Sequence, residues 1–219
     1  KGHELVLHAR NEGRVSAVGE LVDRGAEVLV GDLGDLDEAL ALAEAANELG
    51  RMDVVIHNAG LGDGYAGPVM GVNVVAPYVL TALMERPERL VYLSSGMHRT
   101  GSERVLEADW GAGGGEYSDS KLAVTALAMA VAHRWPEVAV NAVDPGWQPT
   151  AMGGEHATGD MEDGIGTQVW LADAFEAGEE TAGYWKVLAR EQPHPLVISE
   201  EFQERLLASL AEFTGVELG

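Results

Sequence analysis

Short β-branched runs alternate with longer stretches of helical spacing along most of the chain. Glu4–His8 (ELVLH), Ala26–Val30 (AEVLV), Met52–His57 (MDVVIH), Leu90–Leu93 and Val138–Val143 (VAVNAV) read as strands, and Thr181–Val187 as a last, short one. Glu12–Arg24 carries apolar residues at helical spacing, and Leu36–Leu49 is rich in Ala, Leu and Glu. Val69–Met84, Ala123–Arg134, Gly164–Ala174 and Glu200–Phe213 also read as helical. Strands alternating with helices of about 10–15 residues predict βαβ units and a parallel sheet. Several strands are continuous apolar runs, as expected where helices cover both faces of a sheet. The expected class is therefore α/β, in one domain over residues 1–219. Gly153–Gly166 is the loosest segment, rich in Gly and charge, and reads as a mobile loop or lid.

Composition changes this picture in three ways. With 219 residues, 46% of them apolar and 23% charged, the chain suits one soluble globular domain. There is no cysteine, which excludes disulfides, thiolate metal sites and a cysteine nucleophile, and permits a cytoplasmic location. The net charge of −22 repels nucleic acid and anionic membrane, and no apolar run approaches the ~18–20 residues of a membrane span. An anionic ligand would need a few locally placed basic groups. Nothing in the spacing of the histidines argues for a metal.

The chemistry concentrates in Tyr117 and Lys121 (YSDSK), four positions apart at the start of an apolar helix and so on one face of it. A free phenol, with a pKa of ~10, is a poor base at neutral pH, and a nearby ammonium favours its ionised form. Such a pair can exchange protons with an alcohol or carbonyl. Alone, the spacing is weak, and a solvated surface pair would share it. Ser94-Ser95 and Asn58-Ala59-Gly60 each follow a strand at its carboxyl end, where ligands bind in open α/β sheets. Asn73 lies in NVVAP within the next helix, where it could equally be a kink residue ahead of Pro77.

Taken in order, HAR-N (8–11), GDL (31–33), NAG (58–60), NVVAP (73–77), VYLSSG (91–96), YSDSK (117–121) and NAVDPGWQPT (141–150) resemble the short-chain dehydrogenase/reductase family. Arg89–His98, Tyr117–Ala123 and the long Ser95-to-Tyr117 spacing are similar to its retinol-dehydrogenase-like branch. The resemblance implies a Rossmann-like doubly wound sheet and hydride transfer between a nicotinamide and a small carbonyl or alcohol. It implies Tyr117 as general acid/base, Ser95 as donor to the reacting oxygen, and Lys121 on the nicotinamide ribose. Asn73 would anchor a water in a proton relay. Asn58, Ala59 and Gly60 would line the adenosine side, Asp32 and the neighbouring Leu33 the adenine, and Pro145, Gly146 and Thr150 the nicotinamide. It also implies a homodimer or homotetramer built on long helices, and the apolar Ala123, Val124, Ala126, Leu127, Met129 and Ala130 fit either core or interface.

Arg10, with no acid at the end of that strand, favours NADP over NAD, because a guanidinium suits a phosphate. His98 and Trp147 are candidate substrate contacts, though loop hydrogen bonding is the plainer role for His98, and Trp110 suits a pocket wall or the core. The family's first strand and glycine-rich phosphate loop have no counterpart near Lys1-Gly2-His3, which itself reads as a helix end. The expectation is a longer natural protein, or else a truncated, cofactor-free relative that binds without catalysing. The stretch Gly111–Gly115 is unusually bland for a lead into the tyrosine. A sugar-nucleotide epimerase is a third reading, disfavoured by the short C-terminal region.

Overall fold

The structure is a computed structural model, and it describes residues 2–62, 67–111, 115–174, 177 and 180–219. Residues 112–114 of the bland glycine stretch lie outside these. Parallel pairing dominates. Strand β1 (Val6–Ala9) pairs with β2 (Glu27–Val30), and β3 (Val54–His57), β4 (Arg89–Leu93), β5 (Ala139–Val143) and β6 (Gly183–Lys186) run parallel in that order. A three-residue β7 (Ala189–Glu191) turns back antiparallel on β6. Among the described residues no strand joins β1 to β3, so the sheet stands in two pieces, of two strands and of five. This is the place where the resemblance calls for a central strand.

The β6–β7 hairpin has no counterpart in the sequence expectations. Its turn residues Val187 and Leu188 adopt φ of 46° and 59°. That backbone usually announces itself through Asn-Gly or Asp-Gly, and neither is present. The single helix expected over Glu12–Arg24 is broken into α1 (Glu12–Val15), a 3-10 turn (Ser16–Val18) and α2 (Gly19–Val22), none of which contains a buried residue. Short helices draw their stability from a packed face, and this segment has none.

The remaining helices follow the apolar stripes. Helix α3 (Leu36–Glu48) is capped by Asp35, which accepts the Glu38 N–H at 3.1 Å, and it buries Ala39, Leu42, Ala43 and Ala46. Ala39, Leu42 and Ala43 pack with Val72, Ala76 and Leu80 around α4 (Ala76–Leu83). Helix α6 (Met161–Asp173) begins ahead of the expected Gly164, because Asp160 caps it by accepting the Glu162 N–H at 2.7 Å. Helix α7 (Glu200–Thr214) lays Phe202, Leu206, Leu207 and Leu210 into the main core.

Helix α5 (Tyr117–Arg134) runs through the middle of the molecule. Ala123, Val124, Ala126, Leu127, Met129 and Ala130 are each at most 2% exposed within the single chain. These side chains are therefore core, and they leave no apolar face of α5 for a second subunit. Trp110 is likewise core, 5% exposed, with its indole N–H donating to Ser209 Oγ at 2.9 Å.

Between β3, β4 and α4 lies a buried polar chain. The Thr81 hydroxyl meets both the Tyr92 hydroxyl at 2.6 Å and His57 Nε2 at 3.1 Å. Burial holds the His57 imidazole neutral, its pKa lowered to about 4. His57 thus fastens the end of β3 to α4, immediately before the Asn58–Gly60 loop.

Candidate active site

The carboxyl ends of β3, β4 and β5 converge on the first two turns of α5. Lys121 is 4% exposed, and its Nζ donates to the Leu93 carbonyl at the end of β4 at 2.7 Å. The Ser94 and Thr125 hydroxyls meet at 2.6 Å, and Thr125 Oγ1 also donates to the Lys121 carbonyl. Ser94 therefore ties β4 to α5, and Ser95 is left pointing into the next turn. Ser95 caps the 3-10 turn Gly96–Thr100, its Oγ accepting the Met97 N–H at 3.2 Å. A hydroxyl that accepts one bond still has its own hydrogen to give.

Tyr117 is the first residue of α5 and is half-buried. The Lys121 ammonium lies 5.6 Å from the centre of its ring, one helical turn on. Burial pulls the Lys121 pKa down to about 8, and the negative charge of Asp144 opposes that fall. At neutral pH the group remains an ammonium, but one poised far nearer to proton exchange than an exposed lysine.

Asn73, 2% exposed, sits in a π-helical turn over Gly71–Val75 that runs directly into α4. Its Oδ1 accepts the Leu61 N–H at 2.7 Å, and its Nδ2 donates to the Leu61 carbonyl and to Ser120 Oγ, each at 2.9 Å. Ser120 in turn donates to the Tyr117 carbonyl at 2.7 Å. One amide thus holds the loop after β3 against the start of α5. Gly60 borders both groups: a Cβ there would lie 3.3 Å from Asn73 Oδ1 and 3.6 Å from Lys121 Nζ. π-helical turns recur at functional sites because they re-aim side chains within a helix.

A model of the family described as Enoyl-(Acyl carrier protein) reductase matches residues 1–193. The short-chain dehydrogenase chyC of Penicillium rubens is 36% identical over 232 residues, covering 99% of this chain and 90% of that protein. The chain belongs to the short-chain dehydrogenase/reductase family. With it, the chain is an NAD(P)-dependent oxidoreductase. Human retinol dehydrogenase 13 is a more distant relative, 26% identical with 99% of this chain and 78% of that protein covered. A blue fluorescent protein from a metagenomic library, solved in complex with NADPH, shares the fold at a TM-score of 0.67 and 23% identity, over 86% of this chain and 88% of that one.

The residues present include groups of the kind an anionic nucleotide needs. A buried ammonium, a glycine whose missing Cβ leaves room beside it, and an exposed arginine near the end of β1 together make a donor set for an anionic, ribose-bearing ligand. Arg10 Nε donates to Asp32 Oδ2 at 3.0 Å, while Asp32 Oδ1 accepts the Gly34 N–H at 2.9 Å. Asp32 thus orients the guanidinium and leaves it other donors.

Several expected contacts are redistributed by the short-chain dehydrogenase structure. The Leu33 side chain is 8% exposed and packs in the cluster with Ala39, Val72 and Leu80, so it is core. His98 is fully buried, and both its ring nitrogens are used: Nδ1 with the Ser95 carbonyl at 2.7 Å and Nε2 with the His194 N–H at 3.1 Å. Its place is in holding the loop after Ser95, not on the substrate. Asn58 is exposed at the strand end, and Ala59 packs partly against the α3–α4 cluster. Pro145 and the positive-φ Gly146 follow β5 after Asp144, and Thr150 is exposed, its Oγ1 accepting the Gly153 N–H. Trp147 is 56% exposed, its indole donating to the Gly153 carbonyl at 2.9 Å.

Sequence reading missed Met152, whose side chain lies against Gly60 and Gly62 across the mouth of the site. It also missed Ser120 and Thr125, whose identities carry no chemical signal until α5 is seen packed on β4.

Proposed function

We propose that this chain transfers a hydride between NADP(H) and a small carbonyl or alcohol, with Tyr117 as general acid/base. The observation that carries the reading is the buried Lys121 ammonium facing the Tyr117 ring at 5.6 Å while anchored to the end of β4. The nucleotide, when bound, supplies or accepts the hydride. The chain's own groups hold the substrate oxygen and handle its proton. Ser95 donates its hydroxyl hydrogen to that oxygen. Tyr117 gives a proton to it in reduction and takes one in oxidation. Lys121 stabilises negative charge developing on the phenol oxygen and offers its remaining N–H groups to the ribose. Asn73 Oδ1 keeps a lone pair on the side of Gly60, where a water touching Lys121 Nζ would continue the proton path. Asn58, Ala59, Gly60, Pro145, Gly146 and the Thr150 loop border the nucleotide.

NADP is preferred over NAD because Arg10 is exposed and oriented by Asp32, at the position where a 2′-phosphate would fall. The fold relative solved with NADPH supports the same choice. Fluorescence titration of the protein with NADPH and with NADH tests it. The Arg10→Ala variant is expected to bind NADPH about tenfold or more weakly, by loss of a charge-assisted pair, with NADH binding nearly unchanged. Equal weakening of both nucleotides, or none, would contradict the assignment.

A further inference from the structure

The loop between β5 and α6 turns back over the site, and its base is tightly built. The Trp147 carbonyl accepts the Gly159 N–H at 2.9 Å, and the Thr150 carbonyl accepts the Gly154 N–H at 2.9 Å. The Trp147 indole donates to the Gly153 carbonyl at 2.9 Å, and Gln148 Nε2 donates to the Pro145 carbonyl at 2.5 Å. Three glycines let the Gln148 amide approach the backbone closely. A Cβ on Gly159 would come within 2.7 Å of Nε2, one on Gly164 within 2.6 Å and one on Gly146 within 3.2 Å. The loop thus has a fixed foot beside the Pro145-Gly146 turn and a far end at Met152.

That far end occupies the site. A Cβ on Gly62 would lie 2.8 Å from Met152 Cγ and 3.2 Å from its Sδ. A Cβ on Gly60 would lie 3.8 Å from Met152 Cε, 3.6 Å from Lys121 Nζ and 3.3 Å from Asn73 Oδ1. The methionine methyl therefore shares one small space with the buried ammonium and the amide. A ribose held by Lys121 would have to fit into that same space. A methyl group gives neither of the two polar groups a partner, and Met152 is still 42% exposed. An unbranched thioether suits such a place, because it fills an irregular gap and withdraws by rotation about its own bonds.

We propose that Met152 is a gate on nucleotide binding. In the free chain the loop over residues 147–159 folds its tip into the nucleotide cleft, against Gly60 and Gly62. NADPH enters when that tip swings out about the Gln148 foot. This rests on the nucleotide reading above. The binding-competent state is then a fraction of the free chain, and the apparent affinity is reduced by that fraction. The stretch from Gly153, rich in Gly and charge, supplies the freedom for the swing.

The chain has no cysteine, so the double variant Gly62→Cys/Met152→Cys can form a single disulfide. The two positions approach closely enough for one. Peptide mapping of the oxidised protein is expected to find it. In an NADPH titration the oxidised pair is expected to bind about tenfold or more weakly, with binding restored by dithiothreitol. Met152→Ala, which cannot hold the cleft shut, is expected to bind NADPH about threefold or more tightly than wild type. In stopped flow that gain should appear in the association rate.

A disulfide that does not form in the folded double variant overturns the closed position of the loop. Equal binding by the oxidised and reduced pair overturns the gate. So does unchanged or weaker binding in Met152→Ala, the weaker result making Met152 a contact of the bound nucleotide. Should the double variant fail to fold, Met152→Ala carries the test alone. If neither wild type, reduced pair nor Met152→Ala binds NADPH, the nucleotide reading itself falls, and the gate with it.

Discussion

Tyr117→Phe is expected to reduce kcat by about a hundred- to ten-thousand-fold, the range that a positioned proton donor contributes. The phenol lies at the first residue of α5, half-buried, with its ring facing the Lys121 ammonium. Removing one oxygen keeps the aromatic ring that faces the Lys121 ammonium. Nucleotide binding, which draws on Lys121, Gly60 and Arg10, should therefore persist within about twofold, and so should the melting temperature. The loss should appear in kcat and kcat/KM together, as for an interaction made only in the transition state. Steady-state kinetics beside a nucleotide titration check both halves. Activity undiminished in Tyr117→Phe would remove the tyrosine from the mechanism.

The second large effect is on stability as well as turnover. Asn73→Ala removes an amide that satisfies both backbone groups of Leu61 and the Ser120 hydroxyl. Leaving such groups unpaired costs about 1–3 kcal/mol for each one that water cannot reach. Leu61 is only partly buried, so a net destabilisation of about 2–3 kcal/mol is expected. For a chain of this size that corresponds to a fall in melting temperature of about 5–10 °C. Gly60 then loses its fixed distance from Lys121, and kcat should fall well beyond what the residual folded fraction explains. Asn73→Asp keeps the acceptor and loses the donors, and should lie between the two. Calorimetry and kinetics on the same preparations check this. A melting temperature unchanged in Asn73→Ala would show that the clamp between the β3 loop and α5 contributes nothing.

Much of the fold was legible because its strands and helices carry their own periodicity. The six parallel strands and helices α3 to α7 fall within a few residues of where the apolar patterns put them. The misses share a physical cause: the deciding interaction is not local. The segment 12–24 has helical spacing but no partner to bury its stripe, so it breaks. The β6–β7 turn adopts positive φ at Val187 and Leu188, residues that give no hint of it. The apolar residues of α5 fitted either core or interface, and only the packed sheet and α7 decide for the core.

The site divides in the same way. Tyr117, Lys121, Ser95 and Asn73 stand out only as parts of an ordered set of motifs, and the structure brings Lys121 against the β4 end and Asn73 against the β3 loop. For His98 the sequence left substrate contact open beside the plainer role of loop hydrogen bonding, and the structure shows the plainer one. Asp144 looked like part of an Asp-Pro-Gly turn, which it also is. Its pairing with Lys186 depends on β5 and β6 lying side by side, a contact that a single sequence does not display.

The central claim is that this site moves a hydride onto a carbonyl carbon. Incubating the protein with a panel of small ketones and aldehydes and NADPH carrying deuterium at the transferable position tests it most directly, by mass spectrometry of the products. The account predicts an alcohol with one deuterium on the former carbonyl carbon, formed with matching loss of NADPH and strongly reduced in Tyr117→Phe. Tight NADPH binding with no labelled alcohol from any carbonyl in the panel would contradict it.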